Sequence, residues 1–205
     1  VLSGGPETVT GEQAPAAPAS VFEMGIPVLG ICYGMQTMTA QLGGKVENAD
    51  HHEYGYAQVR ARGHTALLKD IEDHTSEEGY GLLDVWMSHG DYITELPDDF
   101  KVLGQSENSP ICAIGNPKKN IYGLQFHPEV AHTVYGKNIL GNFLFKICKC
   151  EPDWTPANFI EEVTNDIVDL FRCKPEDVIP ASAKWGLGIQ EILTAIIERI
   201  PAPKG

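Results

Sequence analysis

The stretch IPVLGICYGMQTM, residues 26–38, sets one cysteine between a short apolar run and a glycine-containing turn that opens an apolar-periodic segment. Residues 26–32 are a continuous apolar run of the kind that forms a strand buried on both faces. Residues 34–42 follow as a helix, with Met35, Met38 and Leu42 at helical spacing. The pattern predicts a β-turn-α unit with Cys32 at the junction. A thiol in that position lies beside unpaired backbone N–H groups and the positive end of a helix dipole, which stabilise a thiolate and an oxyanion. Cysteine is also among the most buried residue types, so Cys32 taken alone fits a small core hydrophobe as well as a nucleophile.

The flanking sequence extends the same architecture. VLSGGPETV, residues 1–9, begins inside an apolar run that meets a Gly-Gly-Pro turn, the pattern of a strand end whose beginning is missing. Residues 18–25 read as a short helix. Further strands are predicted over 57–61, 82–88, 101–105, 111–116 and 121–126, and a helix over 136–147. Strands interleaved with helices predict an α/β fold, and the strand-rich later part predicts antiparallel additions to the sheet. Near the C-terminus Ile189, Ile192, Leu193, Ile196, Ile197 and Ile200 form the stripe of an amphipathic helix, ended by Pro201.

Composition narrows the function classes. With 205 residues and 42% hydrophobic content, the chain suits one domain plus an appendage, with enough apolar material for a real core. A net charge of −13 argues against nucleic acid or an anionic membrane as partner, since both reward clustered Lys and Arg. No apolar run reaches the ~18 residues of a membrane span, and the N-terminus lacks the order of a signal peptide, so a cytoplasmic location is expected. The five cysteines, at 32, 112, 148, 150 and 173, are an odd number in such a chain and are expected to be free thiols. The CKC at 148–150 lacks the gap of a zinc half-site and has no complementary pair, so no metal site is expected.

A second segment raises the prospects of Cys32. In GLQFHPEV, residues 123–130, His127 closes an apolar run, Pro128 stops the ladder, and Glu129 stands two positions on, on the same side of an extended chain. Thiol, imidazole and orienting carboxylate are the three parts of nucleophilic acyl transfer. SGGP, residues 3–6, adds a turn whose backbone N–H groups can approach a substrate oxygen. In this order SGGP, GICYGMQ and GLQFHPE resemble the class I, triad-type glutamine amidotransferase family. The resemblance covers roughly residues 1–165 and implies an open, mostly parallel sheet flanked by helices.

DVWMSHGD (84–91) and CEPDWTPANFIEE (150–162) resemble more narrowly the glutaminase domain of the bacterial-type GMP synthetase family. That resemblance implies Cys32 as nucleophile, His127 as proton shuttle, Glu129 as its orienter, and an oxyanion hole from the backbone N–H groups of Gly5 and Tyr33. It implies Gln36, Ser88, His89 and Asp91 as the residues that hold the polar end of L-glutamine; a solvated turn after a strand is the other reading of 88–91. The implied reaction is hydrolysis of glutamine to glutamate and ammonia through a cysteine thioester. The ammonia would serve GMP synthesis from xanthosine monophosphate in an ATP-pyrophosphatase domain, which uses ATP and Mg; no loop of that kind occurs in this chain, and no cofactor is expected in it. A non-catalytic remnant acting at most as a binding or regulatory module is the alternative.

The sequence departs from that family twice. The strand and helix expected before VLSGGP are absent, about 60–70 residues for a domain of ordinary size. Residues 166–205 are read as an appended segment, and PEDVIPASAKWGLGIQEILTAIIERIPAPKG (175–205) resembles the end of a LepA-type translational GTPase G domain, with Trp185 where threonine is expected. No G-x-x-x-x-G-K-[ST] loop is present to cradle a phosphate, so GTP binding by this segment is not expected.

Overall fold

The chain divides into two compact units, Val1–Cys150 and Glu151–Gly205. The structure, a computed structural model, describes residues 1–11, 13–61, 65–71, 74–77, 79–152 and 155–201, and for residues 49–52 the backbone alone. Asp153 and Trp154 of the second GMP-synthetase-like segment, and residues 202–205 of the tail, lie outside the described residues.

In the first unit the quoted stretch folds as its pattern predicts. Strand β1 (Val28–Ile31) is buried at every position, and helix α2 (Tyr33–Gln41) starts immediately after Cys32. The short helix α1 (Ser20–Glu23) precedes them. The sheet continues with β2 (Lys45–Ala61), β3 (His74–Thr75), β4 (Gly81–Glu95), β5 (Lys101–Gln105), β6 (Ala113–Asn116) and β7 (Ile121–Leu124), in the spatial order β1-β7-β6-β5-β2-β4-β3. β1 pairs in parallel with β7 on one side, and on the other Leu2 bridges to Gly30 in parallel, with Leu2 N–H to Leu29 O at 2.8 Å.

One face of this sheet receives α2. Met35 and Met38 pack with Val28, Ile93, Ile114 and Ile121. The other face carries Leu29, Ile31, Leu124 and Phe126 against Ile139 of α3 (Gly136–Gly141) and Phe143 of the π-helical turn Asn142–Ile147 that continues it. Full burial of each such side chain is worth about 1.5–3 kcal/mol. Because both faces are covered, β1, β6 and β7 are continuous apolar runs, the pattern that made them legible.

The α/β layering agrees with the sequence reading, and the antiparallel additions are longer than it drew them. The remaining strand pairs described are antiparallel, and most of that pairing lies in one hairpin of β2 with β4. The segments read as 57–61 and 82–88 are the ends of this hairpin. β4 alternates cleanly, with Leu83, Val85, Met87, His89, Asp91 and Ile93 on the buried face. Residues 88–91 therefore stand in mid-strand, and the solvated-turn reading falls away. The N-terminal half of β2 is mostly polar apart from Val46 and carries a register break between Asn48 and Glu53, so no period-2 pattern marked it.

The second unit holds helix α4 (Pro156–Phe171), a 3₁₀ turn at Pro175–Asp177 and helix α5 (Ile189–Arg199). Thr155 caps α4, its Oγ1 accepting from Asn158 N–H at 3.2 Å with Pro156 in the first turn, and left-handed Arg172 closes it. α5 is the predicted amphipathic helix, and neither α4 nor α5 contains a buried residue. Among the described residues no helix is long and apolar enough to cross a membrane.

Candidate active site

Cys32 lies between β1 and α2 in a backbone conformation of φ 51° and ψ −112°, which a side-chain-bearing residue rarely adopts. Such a conformation costs on the order of 1–3 kcal/mol and persists only where the surroundings over-determine it. Here Cys32 N–H donates to Leu124 O at 2.7 Å, and Cys32 O accepts from Met35 N–H at 3.0 Å and Gln36 N–H at 3.1 Å. The bend throws the thiol out of the sheet toward β4, where Sγ–H points at Ser88 O, 3.4 Å away. The bend is possible because α2 comes very close to the first strand segment. A Cβ on Gly34 would lie 2.2 Å from Leu2 O, so only glycine fits there.

His127 follows β7, and its Nδ1 is 2.6 Å from Glu129 Oε1. Its ring lies over Gly4, where a Cβ would come within 3.0 Å of His127 Cε1 and 3.5 Å of Cys32 Cβ. A hydrogen bond with Cys32 is the main influence on this imidazole. With help from Glu129, and against the opposing effect of burial, it pushes the pKa of His127 up to about 9. The imidazole is thus held in its charged form at neutral pH, beside the sulfur. Tyr33 is the first residue of α2, and helix N–H groups in the first turn have no partner within the helix. Gly5 sits across from it, its Cβ position 3.9 Å from Tyr33 Cβ.

A pocket of about 350 Å³ opens beside Cys32, and Gly5, Gln36, Ser88, His89 and Asp91 all line it. Gln36 is buried, lines the pocket and donates its amide N–H groups to Asp91 O at 2.9 Å and Gln125 Oε1 at 3.1 Å. His89 places Nδ1 at 2.9 Å from Asp91 O and Nε2 at 3.2 Å from Glu53 Oε2, so its ring forms wall while both nitrogens are engaged. Asp91 Oδ2 accepts from Thr8 Oγ1 at 2.6 Å, and among the described residues Oδ1 has no partner. Glu7 and Asp91 give the pocket an acidic rim, and among the described residues no lysine or arginine lines it. Among the described residues, no group of three His, Cys, Asp or Glu side chains is placed to hold a metal ion.

Thus Cys32, His127 and Glu129 come together at the bend, and Gln36, Ser88, His89 and Asp91 line the pocket that Cys32 also lines. The family model of class-I glutamine amidotransferases matches residues 1–147. The chain belongs to the class-I glutamine amidotransferases. Two proteins named GMP synthase [glutamine-hydrolyzing], from Hydrogenovibrio crunogenus and Methylococcus capsulatus, are each 60% identical to this amidotransferase over 162 residues, which is 79% of its chain. The chain spans 31% of the length of those relatives. A solved structure from Thermoplasma acidophilum, described as that of a GMP synthase subunit, is 32% identical with a TM-score of 0.56, covering 63% of this chain and 60% of that one.

Four residues of this amidotransferase's site escaped the sequence reading. Thr8 and Glu53 hold Asp91 and His89 in place, and drawing the register of β2 on β4, which pairs Glu53 with His89, would have exposed the second. Gln125, fully buried and bonded to Gln36, was signalled by its polar side chain inside an apolar run. Thr133, in the loop after Glu129, had no pattern to mark it.

Proposed function

We propose that this chain hydrolyses L-glutamine to glutamate and ammonia through a thioester on Cys32. The observation that carries the reading is His127 placed beside Cys32 with its Nδ1 2.6 Å from Glu129 Oε1, next to a pocket of amino-acid size that Cys32 lines. The acid rim of Glu7 and Asp91 suits the α-ammonium group of an amino acid and disfavours an anionic head such as a phosphate. Small-molecule pockets range over about 300–1,000 Å³, and this one fits at the lower end.

Cys32 attacks the side-chain amide carbon of glutamine as the thiolate, its proton lost to water beside the His127 imidazolium, and the N–H groups of Gly5 and Tyr33 receive the oxyanion that forms. His127 gives its proton to the departing nitrogen, which leaves as ammonia, and the acyl group stays on sulfur as the thioester. The imidazole, now neutral, takes a proton from water as the water attacks the thioester, and glutamate leaves with the thiolate restored. Glu129 keeps the ring turned toward sulfur in both halves.

In the fuller reading this glutaminase supplies ammonia for GMP synthesis from xanthosine monophosphate. The partner is an ATP-pyrophosphatase domain that binds ATP and Mg, and the glutaminase chain itself uses neither metal nor cofactor. A cytoplasmic setting goes with that role, with no nucleic acid and no membrane as partner. The names of the relatives support it, with 60% identity across the matched region. A segment resembling a GTPase end at 175–205 has no part in the reaction. The inactive-remnant alternative is not favoured, because the matching relatives are named GMP synthase [glutamine-hydrolyzing] and the amidotransferase family model matches residues 1–147.

The test is glutamate release from glutamine by the intact chain and by its variants. Cys32→Ala abolishes it, and His127→Ala lowers it by about 10²–10⁴-fold, the usual value of a general acid–base group. Equal rates in the unaltered chain and in Cys32→Ala would overturn the proposal.

A further inference from the structure

The outer edge of β4 carries the active site. Among the described residues β3 covers that edge at Gly81 and Leu82, and beyond it three carbonyls of even-numbered residues are met by other partners. Asp84 O accepts from Val134 N–H at 3.3 Å, Trp86 O from His127 N–H at 3.0 Å, and Ser88 O from the Cys32 thiol at 3.4 Å. The remaining rung is a side chain. Thr133 Oγ1 accepts from Trp86 N–H at 3.1 Å and donates to His127 O at 2.6 Å.

We propose that Thr133 is a positioning residue for His127, its hydroxyl fixing the distance between the imidazole and Cys32 by tying the His127 carbonyl to the β4 edge. The proposal rests on the glutaminase reading above. A hydroxyl has one proton to give and lone pairs to accept with, so Thr133 satisfies a strand N–H and a loop carbonyl at once. The side chain is 4% exposed, so water does not replace either bond. Thr133 is itself held from both directions, its N–H donating to Val130 O at 3.2 Å and its carbonyl accepting from Gly136 N–H, the first residue of α3, at 3.1 Å. His127 is therefore referenced to the strand that Cys32 points at, through two bonds at one residue, Trp86. Glu129 turns the imidazole about its own axis, whereas Thr133 sets where its backbone stands. A shift of about 1 Å in a reacting group costs on the order of 10²-fold in rate.

Thr133→Val keeps the shape and removes both bonds, and Thr133→Ser keeps the hydroxyl. Two readouts are taken on the intact chain: the kcat and KM of glutamate release, and the rate at which iodoacetamide alkylates Cys32, followed by peptide mass. The expected result in Thr133→Val is a fall in kcat of about 10–100-fold with KM within about twofold, and slowed alkylation. Thr133→Ser restores both. Unchanged kcat and alkylation in Thr133→Val would overturn the proposal. So would a loss that Thr133→Ser fails to restore, which would assign the effect to packing of the methyl group. Should the unaltered chain release no glutamate, the alkylation rates decide alone: slowing in valine and recovery in serine would uphold the positioning role while the glutaminase reading falls.

Discussion

Cys32 and His127 are the residues where the local chemistry departs most from the ordinary. Cys32 has a positive φ held by three backbone hydrogen bonds, and His127 has an imidazole held charged up to a pKa of about 9, first by Cys32 and then by Glu129. The second fact carries a prediction about stability. The folded-state pKa lies above the ordinary value of 6.5, so the protonated ring is bound more favourably in the folded protein than in the unfolded one. That contribution is complete below about pH 6.5 and is lost as pH rises through about 9. His127→Gln is therefore expected to flatten the pH dependence of thermal unfolding between those limits, with the unaltered chain losing more of its Tm across the window. Parallel Tm-against-pH curves for the two proteins would contradict the assignment. The sequence made Cys32, His127 and Glu129 legible because each stands at the break of an apolar run. The bonding of His89 and Gln36 was not legible, since it depends on which strand faces which.

Among the elements, β4 and the β1-α2 bend do different work. The bend positions the Cys32 thiol, and its tightness rests on Gly34, where a Cβ would lie 2.2 Å from Leu2 O. Gly34→Ala forces α2 away from the Leu2 bridge, an overpacking change that costs typically 1–3 kcal/mol. The expected outcome is a lower Tm together with slower Cys32 alkylation, read by calorimetry and peptide mass. A Tm equal to that of the unaltered chain would show that the bend has slack. β4 supplies the edge on which loop and thiol are hung. Its first half was read as a strand over 82–88, but its length to Glu95 was not, because its partner β2 breaks register between Asn48 and Glu53 and carries Val46 as the one apolar residue of its first four. A strand carried by its partner's hydrophobic face leaves little mark of its own in the sequence.

At the scale of the whole molecule, the described residues of the candidate site all come from the unit Val1–Cys150. A chain ending at Cys150 is therefore expected to keep glutamate release within about twofold and to self-associate less, because apolar surface on α5 such as Ile197, 80% exposed, goes with the removed part. Light scattering and the glutaminase assay check this together, and loss of activity on truncation would make the second unit integral to the first. The central claim, that Cys32 is the nucleophile of a glutamine-recognising site, is tested most directly by labelling the intact chain with a glutamine-like chloroketone and mapping the adduct by peptide mass. The account predicts one adduct, on Cys32, slowed by excess glutamine and absent in Cys32→Ala; preferential labelling at Cys112, Cys148, Cys150 or Cys173, or labelling that glutamine does not slow, would contradict it.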